Sequence, residues 1–353
     1  MAEETGNDED PLEQPSEIMS RVKEKASEED DMEADPFEMY MSKVVDKRNL
    51  SKSRHTTIER SLREWSEFME SKPREASCPT EQNIWSFVES LEEKNSVQTI
   101  KVKLRAVNNA YEFLQKEHTA PHPTTYNPFE KVLDNWNPDK EERKDYPPVE
   151  LDDIRECLPE HYRDRLIVFL QLKLGLRRGE VGNIKIADVH IDNDELERHY
   201  PSLGKNTDYD NSIIIPDDRD GNKSSRTRVL PLDDELRKVI LRYLLVRPNV
   251  NEPWLLLSKK SHVKLSDNVC SNIWNEYFQE IQLDGYRSIS SHYGRHFFTT
   301  YFTVKKDWNS ELVGYMRGDT KGESLNGTIK YYIHTYYQDI ETDYRNQIFK
   351  LER

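Results

Sequence analysis

Prolines between residues 118 and 148 divide this chain into two regions that can each form a hydrophobic core. Six of its 17 prolines lie in this stretch. Proline removes a backbone donor and breaks helix interiors, and helical periodicity survives here only around residues 129–133. The stretch therefore predicts a domain boundary near residue 140. The prolines concerned are Pro121, Pro123, Pro128, Pro138, Pro147 and Pro148.

Four segments follow from this boundary. A length of 353 residues suits two domains with additional tails. We predict an acidic disordered tail over residues 1–38, a helical domain over 39–135, a linker over 136–148 and a second domain over 149–353. The tail is poor in aromatic residues and has no apolar periodicity, which is typical of segments that cannot bury enough surface to fold.

The net charge by itself argues against binding to nucleic acid, but it is unevenly distributed. The formal net charge is −15 at pH 7, and residues 1–40 carry −12 of it, from 15 acidic and 3 basic side chains. The remaining residues are close to neutral, at −3, and can present a basic face to phosphate groups. The residual acidity also suits a salt-rich cytoplasm, so a haloarchaeal source is our expectation.

The composition argues against several other classes of protein. Hydrophobic residues make up 35% and charged residues 33% of the chain, and no run approaches the roughly 18 apolar residues of a membrane-spanning helix. The N-terminus has neither the basic nor the apolar region of a secretion signal. Cys78, Cys157 and Cys270 are too scattered for a disulfide framework. We therefore expect a reduced, cytoplasmic protein without membrane contact.

The first domain has the periodicity of an all-helical fold. Ser53 or Thr56 can cap a first helix and Thr80 a second, and a third helix is predicted over residues 97–115. Two groups of basic residues accompany these helices, and we predict that they contact the phosphates of DNA. The first group is Lys43, Lys47, Arg48, Lys52 and Arg54, and the second is Lys101, Lys103 and Arg105.

The second domain is predicted to be mainly α with a small antiparallel β-sheet. Residues 165–174 predict a dense apolar helix, and Asp233 and Ser266 can cap two later helices. Residues 212–215 and 226–230 are rich in Ile and Val. The polar sequence DDRDGNKSS between them is typical of a turn, so these segments predict a β-hairpin.

Several cationic residues of this domain stand where a helix or turn could present them to a ligand. Arg177 follows a helix break in GLRRGEV, and Lys223 lies at the tip of the predicted hairpin. In HYGRHFFTT, His292 and Arg295 share a helix face because they are three residues apart. His292 and His296 have the spacing of a zinc site. No glutamate follows the first histidine and no third ligand is evident nearby, so we expect no metal.

A pair of tyrosines near the C-terminus indicates what these cations could do. Tyr331 and Tyr332 stand in TIKYYIHTYYQD, and His334 follows Tyr332 by two residues. A phenol can attack a phosphodiester without a metal when cations hold the non-bridging oxygens, and the planar fork of arginine matches phosphate. The phenol, with an ordinary pKa of about 10, needs activation by cations or a base. The departing oxygen needs a proton, which lysine or histidine can supply.

As an ordered set, these stretches resemble the signature of the tyrosine recombinase (phage integrase) family, and of its Xer-like members in particular. GLRRGEV is similar to the first arginine box, TGLRxSEI, and places Arg177 in the role of the first arginine. HYGRHFFTT is similar to HxLRHxFAT, which places His292 and Arg295 in the roles of the second histidine and arginine. The hairpin is similar to GKGxKxRxxPL, with Lys223 on or near the catalytic lysine. The accompanying basic positions of that hairpin are Arg226 and Arg228.

The last box of the family, LGHxxxxxTxxYxH, is matched less closely. MRGD at residues 316–319 takes the place of LLGH, so Asp319 stands where the family has a third histidine or a tryptophan. The Tyr-x-His spacing favours Tyr332 as the nucleophile, and the distance from the preceding threonine favours Tyr331; we prefer Tyr332. His296 or His334 is a candidate substitute for the missing histidine.

The resemblance implies a fold, a mechanism and partners. The first domain would be a SAM-like core-binding domain, and the second a catalytic domain of the DNA breaking-rejoining fold. Arg177 and Arg295 would hold the scissile phosphate, Tyr332 would form a 3′-phosphotyrosyl bond, and Lys223 and His292 would transfer protons. Such enzymes use no cofactor and act as homotetramers on two double-stranded DNA sites. The tail after Tyr332 could dock on a neighbouring subunit through apolar residues at helical spacing, which are Ile340, Tyr344, Ile348 and Phe349.

Two alternatives remain open at this point. The replacement by Asp319 favours a non-catalytic DNA-binding protein that retained the recombinase fold. A type IB topoisomerase-like enzyme would use the same chemistry without a partner site, and would relax supercoiled DNA as a monomer. A covalent protein–DNA adduct separates the binder from both enzymes.

Overall fold

The computed structural model describes residues 12–13, 16–17, 35–117, 122–139, 144–224, 226–319 and 329–352; the side chains of Asp267 and of residues 329–335 lie outside this description. The chain divides into two compact units, Met1–Glu142 and Arg143–Arg353. This division falls within the proline-containing stretch from which the sequence predicts a boundary.

The first unit is helical in its described residues. Ser51, rather than Ser53 or Thr56, caps the first long helix by accepting a hydrogen bond from a backbone N–H of that helix. Thr80 caps the next helix in a reciprocal arrangement with the side chain three residues later. The helices are α1 (Pro36–Tyr40), α2 (Lys52–Met69), α3 (Glu81–Glu92), α4 (Val97–Lys116) and α5 (Pro128–Asn135).

Trp65 of α2 organises the core of this unit. Its side chain is fully buried, and its ring centre lies 5.0 Å from that of Phe87 and 5.3 Å from that of Phe129, both in edge-on contact. The indole N–H donates to the carbonyl oxygen of Ala76 at 2.8 Å. A large apolar ring whose only donor is satisfied is well suited to burial, so α2, α3 and α5 share one core around it.

The ordered part of the first unit begins before the predicted end of the acidic tail. Phe37 and Tyr40 of α1 are buried, and Leu12 is fully buried in the same core. Ser16 Oγ accepts a hydrogen bond from the Glu75 backbone N–H at 3.2 Å. For these residues the prediction of disorder is corrected, because isolated apolar side chains within an acidic segment are enough to anchor it. The rest of that tail lies outside the described residues.

The second unit is mainly α with a small antiparallel sheet, which confirms the predicted fold class. Strands β1 (Val189–His190), β2 (Ser212–Ile215) and β3 (Arg228–Pro231) pair in that order, and the predicted hairpin is β2–β3. The helices are α6 (Leu151–Glu156), α7 (Tyr162–Leu174), α8 (Arg178–Gly182), α9 (Asp194–His199), α10 (Asp234–Val246), α11 (Asp267–Tyr277), α12 (Ser291–Thr300), α13 (Ser310–Arg317) and α14 (Ile329–Gln347).

Helix α7 lies at the centre of the second unit. Nearly all of its side chains are buried, and it packs against α10 and α12. It ends at Gly175, whose φ is 62°, and a Cβ there would lie 2.7 Å from the ring of Phe298. Only glycine adopts this left-handed conformation without strain and also leaves room for the ring. The chain therefore turns at once and places Arg177 beside α12.

The end of the chain packs on its own unit. Ile340 and Tyr344 of α14, followed by Ile348 and Phe349, are buried in the core. The Leu351 backbone N–H donates to a glutamate carboxylate of α10 at 2.9 Å. The expectation that these residues dock on a neighbouring subunit is therefore corrected, because their apolar surface is already covered.

No helix within the described ranges combines the length and the apolar character that crossing a membrane requires.

Candidate active site

Arg177 and Arg295, which are far apart in the sequence, meet at the carboxylate of Asp319. Arg177 Nη2 donates to Asp319 Oδ1 at 2.7 Å, and Arg295 Nη2 donates to the same oxygen. Both guanidinium groups also donate to the backbone carbonyl of Arg317, at 3.2 and 2.7 Å. A carboxylate and a phosphate offer similar pairs of anionic oxygens to guanidinium donors. The structure thus brings together the two arginines predicted to hold a phosphate, and Asp319 marks an anion position between them.

The beginning of α8 determines the direction of the Arg177 side chain. Its backbone N–H donates to Glu180 Oε2 at 2.8 Å, and its Nη1 donates to Oε1 at 3.1 Å. Glu180 is fully buried and also pairs with Arg228 Nη2 at 3.0 Å. A buried carboxylate is stable only when it is paired and hydrogen-bonded, and Glu180 obtains its partners from Arg177 and Arg228. The Arg177 side chain keeps 22% exposure and can still contact a ligand.

Helix α12 carries Arg295 to the same position. Its Nη1 donates to the carbonyl oxygen of Gly175 at 2.7 Å, and 7% of its side chain is exposed. Burial and the positive charges of Arg177 and Arg317 lower the pKa of Arg295 to about 9, while Asp319 opposes this effect. Arg295 is therefore cationic at neutral pH, as guanidinium groups generally are. An anion placed beside it stabilises the charged form.

A third guanidinium group, which the sequence analysis missed, contacts the same carboxylate. Arg317, the last residue of α13, places Nη2 at 3.0 Å from Asp319 Oδ2, and 28% of its side chain is exposed. The sequence contained a signal for it: MRGD has a charged residue where the family box LLGH has an apolar one.

Arg228 faces the protein interior and not DNA. Its side chain is fully buried, its Nε donates to the carbonyl oxygen of Met316 at 2.9 Å, and its Nη2 pairs with Glu180. The prediction that Arg228 contacts DNA is therefore corrected: strand β3 packs against α13, and this side chain points into that contact. Gly318 makes the close approach possible, because a Cβ at its φ of 64° would collide with the Arg228 guanidinium.

Arg226 lies against two aromatic rings. Its guanidinium carbon is 5.4 Å from the ring centre of Tyr315 and 5.3 Å from that of Tyr336. The two rings stack on one another with centres 4.7 Å apart. The side chain of Arg226 is partly exposed, so its contact with DNA stays a prediction.

Lys223 and His292 are close enough for the charge of the lysine to act on the imidazole. Lys223 is exposed in the connection between β2 and β3. Burial of the His292 ring lowers its pKa, and the positive charges of Arg178, Arg295, Arg287 and Lys223 lower it further. The imidazole is therefore neutral at pH 7 and able to accept a proton.

His296 is engaged elsewhere on the same helix. Its ring stacks on that of Tyr146, with centres 4.4 Å apart. Burial, followed by the charges of Arg287 and Arg317, lowers the pKa of His296. His296 thus packs on Tyr146, whereas Arg317 contacts Asp319. Across the described ranges, no group of three or more His, Cys, Asp or Glu side chains is arranged to hold a metal ion.

Both candidate nucleophiles belong to the first turn of α14, which packs against β3 and α13. These are the elements that carry Arg228 and Arg317. The side chains of Tyr331, Tyr332 and His334 lie outside the described residues, so the choice between the two tyrosines stays a prediction.

The basic residues predicted to contact DNA in the first unit differ in availability. Lys103 Nζ lies 2.5 Å from Glu64 Oε2, and its side chain is only 14% exposed. This ion pair joins α2 to α4, so Lys103 is corrected from a phosphate contact to a packing residue. Lys43 Nζ lies 3.0 Å from a glutamate carboxylate oxygen, and Lys101 Nζ lies 5.8 Å from the centre of a tryptophan ring. The exposed candidates are Lys47, Arg48, Lys52, Arg54 and Arg105.

In this mainly helical domain, two distant arginines converge on an anion position beside a helix with tyrosines in its first turn. This combination defines a class of DNA strand-exchange enzymes. A profile described as the phage integrase family matches residues 149–339. This is more than half of the chain, and the chain belongs to the phage integrase family. It is accordingly a tyrosine recombinase, an enzyme of site-specific DNA recombination and integration.

Solved structures with the same fold include two integrases. The Tn1549 transposon integrase in complex with transposon right end DNA aligns with a TM-score of 0.60 at 13% identity, covering 85% of this chain and 98% of that chain. A lambda integrase dimer bound to a core site aligns with a TM-score of 0.60 at 11% identity, covering 89% and 96%. A lambda integrase tetramer bound to a Holliday junction aligns with a TM-score of 0.59 at 10% identity, covering 82% and 74%. No curated protein matches this chain at a significant level.

Proposed function

We propose that this recombinase cleaves double-stranded DNA through a 3′-phosphotyrosyl intermediate in which Arg177 and Arg295 hold the scissile phosphate. The observation that carries this assignment is the donation of both guanidinium groups to Asp319 Oδ1. Two donors that share one anionic oxygen are arranged as a phosphoryl transfer site requires.

The proposed first step exchanges one ester bond for another. The phenol oxygen of Tyr332 attacks phosphorus and forms the phosphotyrosyl bond, while the bond from phosphorus to the 5′-oxygen breaks. The phenol proton passes to His292, which its lowered pKa keeps neutral and able to accept it. The ammonium group of Lys223 gives a proton to the departing 5′-oxygen. A 5′-hydroxyl of a partner strand then reverses the step, and no external energy source is needed because the ester is conserved.

Recombination joins two DNA sites, and we propose that four copies of this chain act together on them. The lambda integrase structure on a Holliday junction contains a tetramer, which supports this assembly. We also propose that the enzyme works in the cytoplasm, where its DNA substrate is.

A nicked suicide substrate tests the proposed nucleophile. The nick lets the cleaved fragment diffuse away, so the covalent adduct accumulates and can be counted on a denaturing gel. Tyr332→Phe should abolish the adduct and leave DNA affinity unchanged, whereas Tyr331→Phe should form it. The opposite pattern would assign the nucleophile to Tyr331.

A modified leaving group tests the role of Lys223. Lys223→Ala should slow adduct formation on the normal substrate. A 5′-bridging phosphorothiolate leaves without protonation, so it should restore the rate of this variant to near that of the unaltered protein. An equal deficit on both substrates would remove Lys223 from the acid role.

The occupied anion position also favours a second candidate, a non-catalytic DNA-binding protein. Asp319 neutralises part of the charge that a phosphate would meet. Intact DNA binding with no adduct from the unaltered protein, under conditions that preserve its fold, would support this candidate.

A further inference from the structure

We infer that Arg317 is a third phosphate-binding residue of the active site, and that it occupies the functional place of the histidine missing from this chain. The inference rests on the proposed function, since it concerns the same phosphate. The family pattern provides no such role for this position, where its box has an apolar residue.

The contacts of Asp319 separate into two sides. Oδ1 accepts from Arg177 and Arg295, and Oδ2 lies 3.0 Å from Arg317 Nη2. A phosphodiester also has two non-bridging oxygens that share one negative charge. A phosphate in place of the carboxylate would present one oxygen to the Arg177–Arg295 pair and the other to Arg317.

Arg317 has donor capacity that the protein does not use. A guanidinium group has five N–H donors, and Arg317 Nε is buried with no hydrogen-bond partner among the residues that the structure describes. A buried donor without a partner is unfavourable unless a ligand supplies an acceptor. Although Nε itself is buried, the side chain as a whole is more exposed than that of Arg295, at 28% against 7%, so a ligand can approach the guanidinium group.

A purely structural role would use different atoms of Arg317. Its backbone carbonyl oxygen accepts from both Arg177 and Arg295 and helps to align them. Substitution of the side chain leaves this carbonyl in place, so the two roles can be separated by experiment.

The test compares Arg317→Ala with the unaltered full-length protein on two nicked substrates. One carries a normal scissile phosphate, and the other carries a methylphosphonate, in which an uncharged methyl group replaces one non-bridging oxygen. Each stereoisomer of the methylphosphonate is tested separately. Arg198→Ala, which removes an exposed arginine paired with Glu195, serves as the charge control.

Arg317→Ala should reduce adduct formation on the normal phosphate by about 100- to 1,000-fold, as expected for loss of one donor to a developing oxyanion. On one methylphosphonate stereoisomer, the deficit relative to the unaltered protein should fall below roughly tenfold, because the charge that Arg317 neutralises is absent. Arg198→Ala should behave like the unaltered protein on every substrate. An unchanged rate for Arg317→Ala, or an equal deficit on all substrates, would overturn the inference while leaving the proposed function intact. Absence of any adduct from the unaltered protein would overturn both.

Discussion

At the scale of single residues, two carboxylates hold the arginines in and around the candidate site in different ways. Glu180 is fully buried between Arg177 and Arg228, so DNA cannot displace it without breaking the core. Asp319 contacts Arg177, Arg295 and Arg317 but is 36% exposed. A water-accessible carboxylate can leave when a phosphate arrives. Glu180 therefore aligns Arg177 from within the core, and we expect Asp319 to give way to a phosphate.

Asp319→Asn should strengthen binding of the nicked substrate by roughly tenfold at fixed salt. The amide has nearly the same size but no charge, so it competes less with phosphate for the three guanidinium groups. Fluorescence anisotropy of labelled DNA measures the change. Asp210→Asn is the control, because it removes an equal charge from a side chain that is 82% exposed. Unchanged or weaker binding by Asp319→Asn would place the phosphate elsewhere.

His122 should make the first unit sensitive to mild acid. Its Nε2 donates to the Ser77 carbonyl at 2.7 Å, Nδ1 has no partner among the described residues, and burial lowers its pKa. The folded state therefore binds fewer protons than the unfolded chain. The stability that the neutral imidazole contributes is fully present above the unfolded pKa of about 6.5. Below that pH the free energy of unfolding declines, by up to about 1.4 kcal/mol per pH unit, until the folded pKa is passed. Hydrogen exchange of α4 amides between pH 7 and 5 measures this, and His122→Gln should flatten the profile. A wild-type profile that is already flat would contradict the prediction.

At the scale of elements, a buried lysine joins the central helix to the end of the chain. Lys173 of α7 is fully buried, and its Nζ lies 2.8 Å from Asp233 Oδ2 and 2.5 Å from Glu235 Oε2. It also donates to the carbonyl oxygen of Phe349 at 3.1 Å. One ammonium group thus connects α7, the start of α10 and the segment after α14. This charge stabilises the two buried carboxylates at the start of α10. Burial acts to raise the pKa of Asp233, but Lys173 and Lys350 together bring it below its usual value.

Lys173→Met should lower the free energy of unfolding of the second unit by about 3 to 5 kcal/mol, because it removes the buried ammonium group that two buried carboxylates share. Lys350→Met is a matched control, because the Lys350 side chain also pairs with Asp233, at 2.9 Å, but is 51% exposed. Its substitution should reduce stability by less than about 1 kcal/mol. Urea denaturation followed by fluorescence measures both. Equal effects of the two substitutions would show that burial does not govern this cluster.

At the scale of the whole molecule, an acidic protein must bind DNA through a small number of exposed cations. The net charge is −15, so phosphate is attracted locally and not by the chain as a whole. Tertiary packing removes several basic residues from that set, as Lys103 and Arg228 show. Lys52 and Arg54, at the start of α2, remain exposed.

The double substitution Lys52→Gln with Arg54→Gln should weaken DNA binding more at low salt than at high salt. Each lost phosphate contact lowers the slope of log K against log salt by about 0.9, so the slope should fall by roughly two. Lys103→Gln should leave the slope unchanged and lower the stability of the first unit instead. If Lys103→Gln altered the slope and the double substitution did not, Lys103 would be the phosphate contact instead of Lys52 and Arg54.

The sequence by itself determined the fold class, and it pointed to Arg177 and Arg295, which the structure brings to one carboxylate. Prolines, helix caps such as Thr80 and Asp233, and apolar periodicity act through local geometry, which adjacent residues specify. Only the tertiary structure decided which cations are available: it buried Arg228, paired Lys103 and added Arg317 to the anion position. It also packed the C-terminal tail on its own unit. These outcomes depend on which faces of distant elements meet, because the charge and exposure of a side chain are set by neighbours that the local sequence does not name.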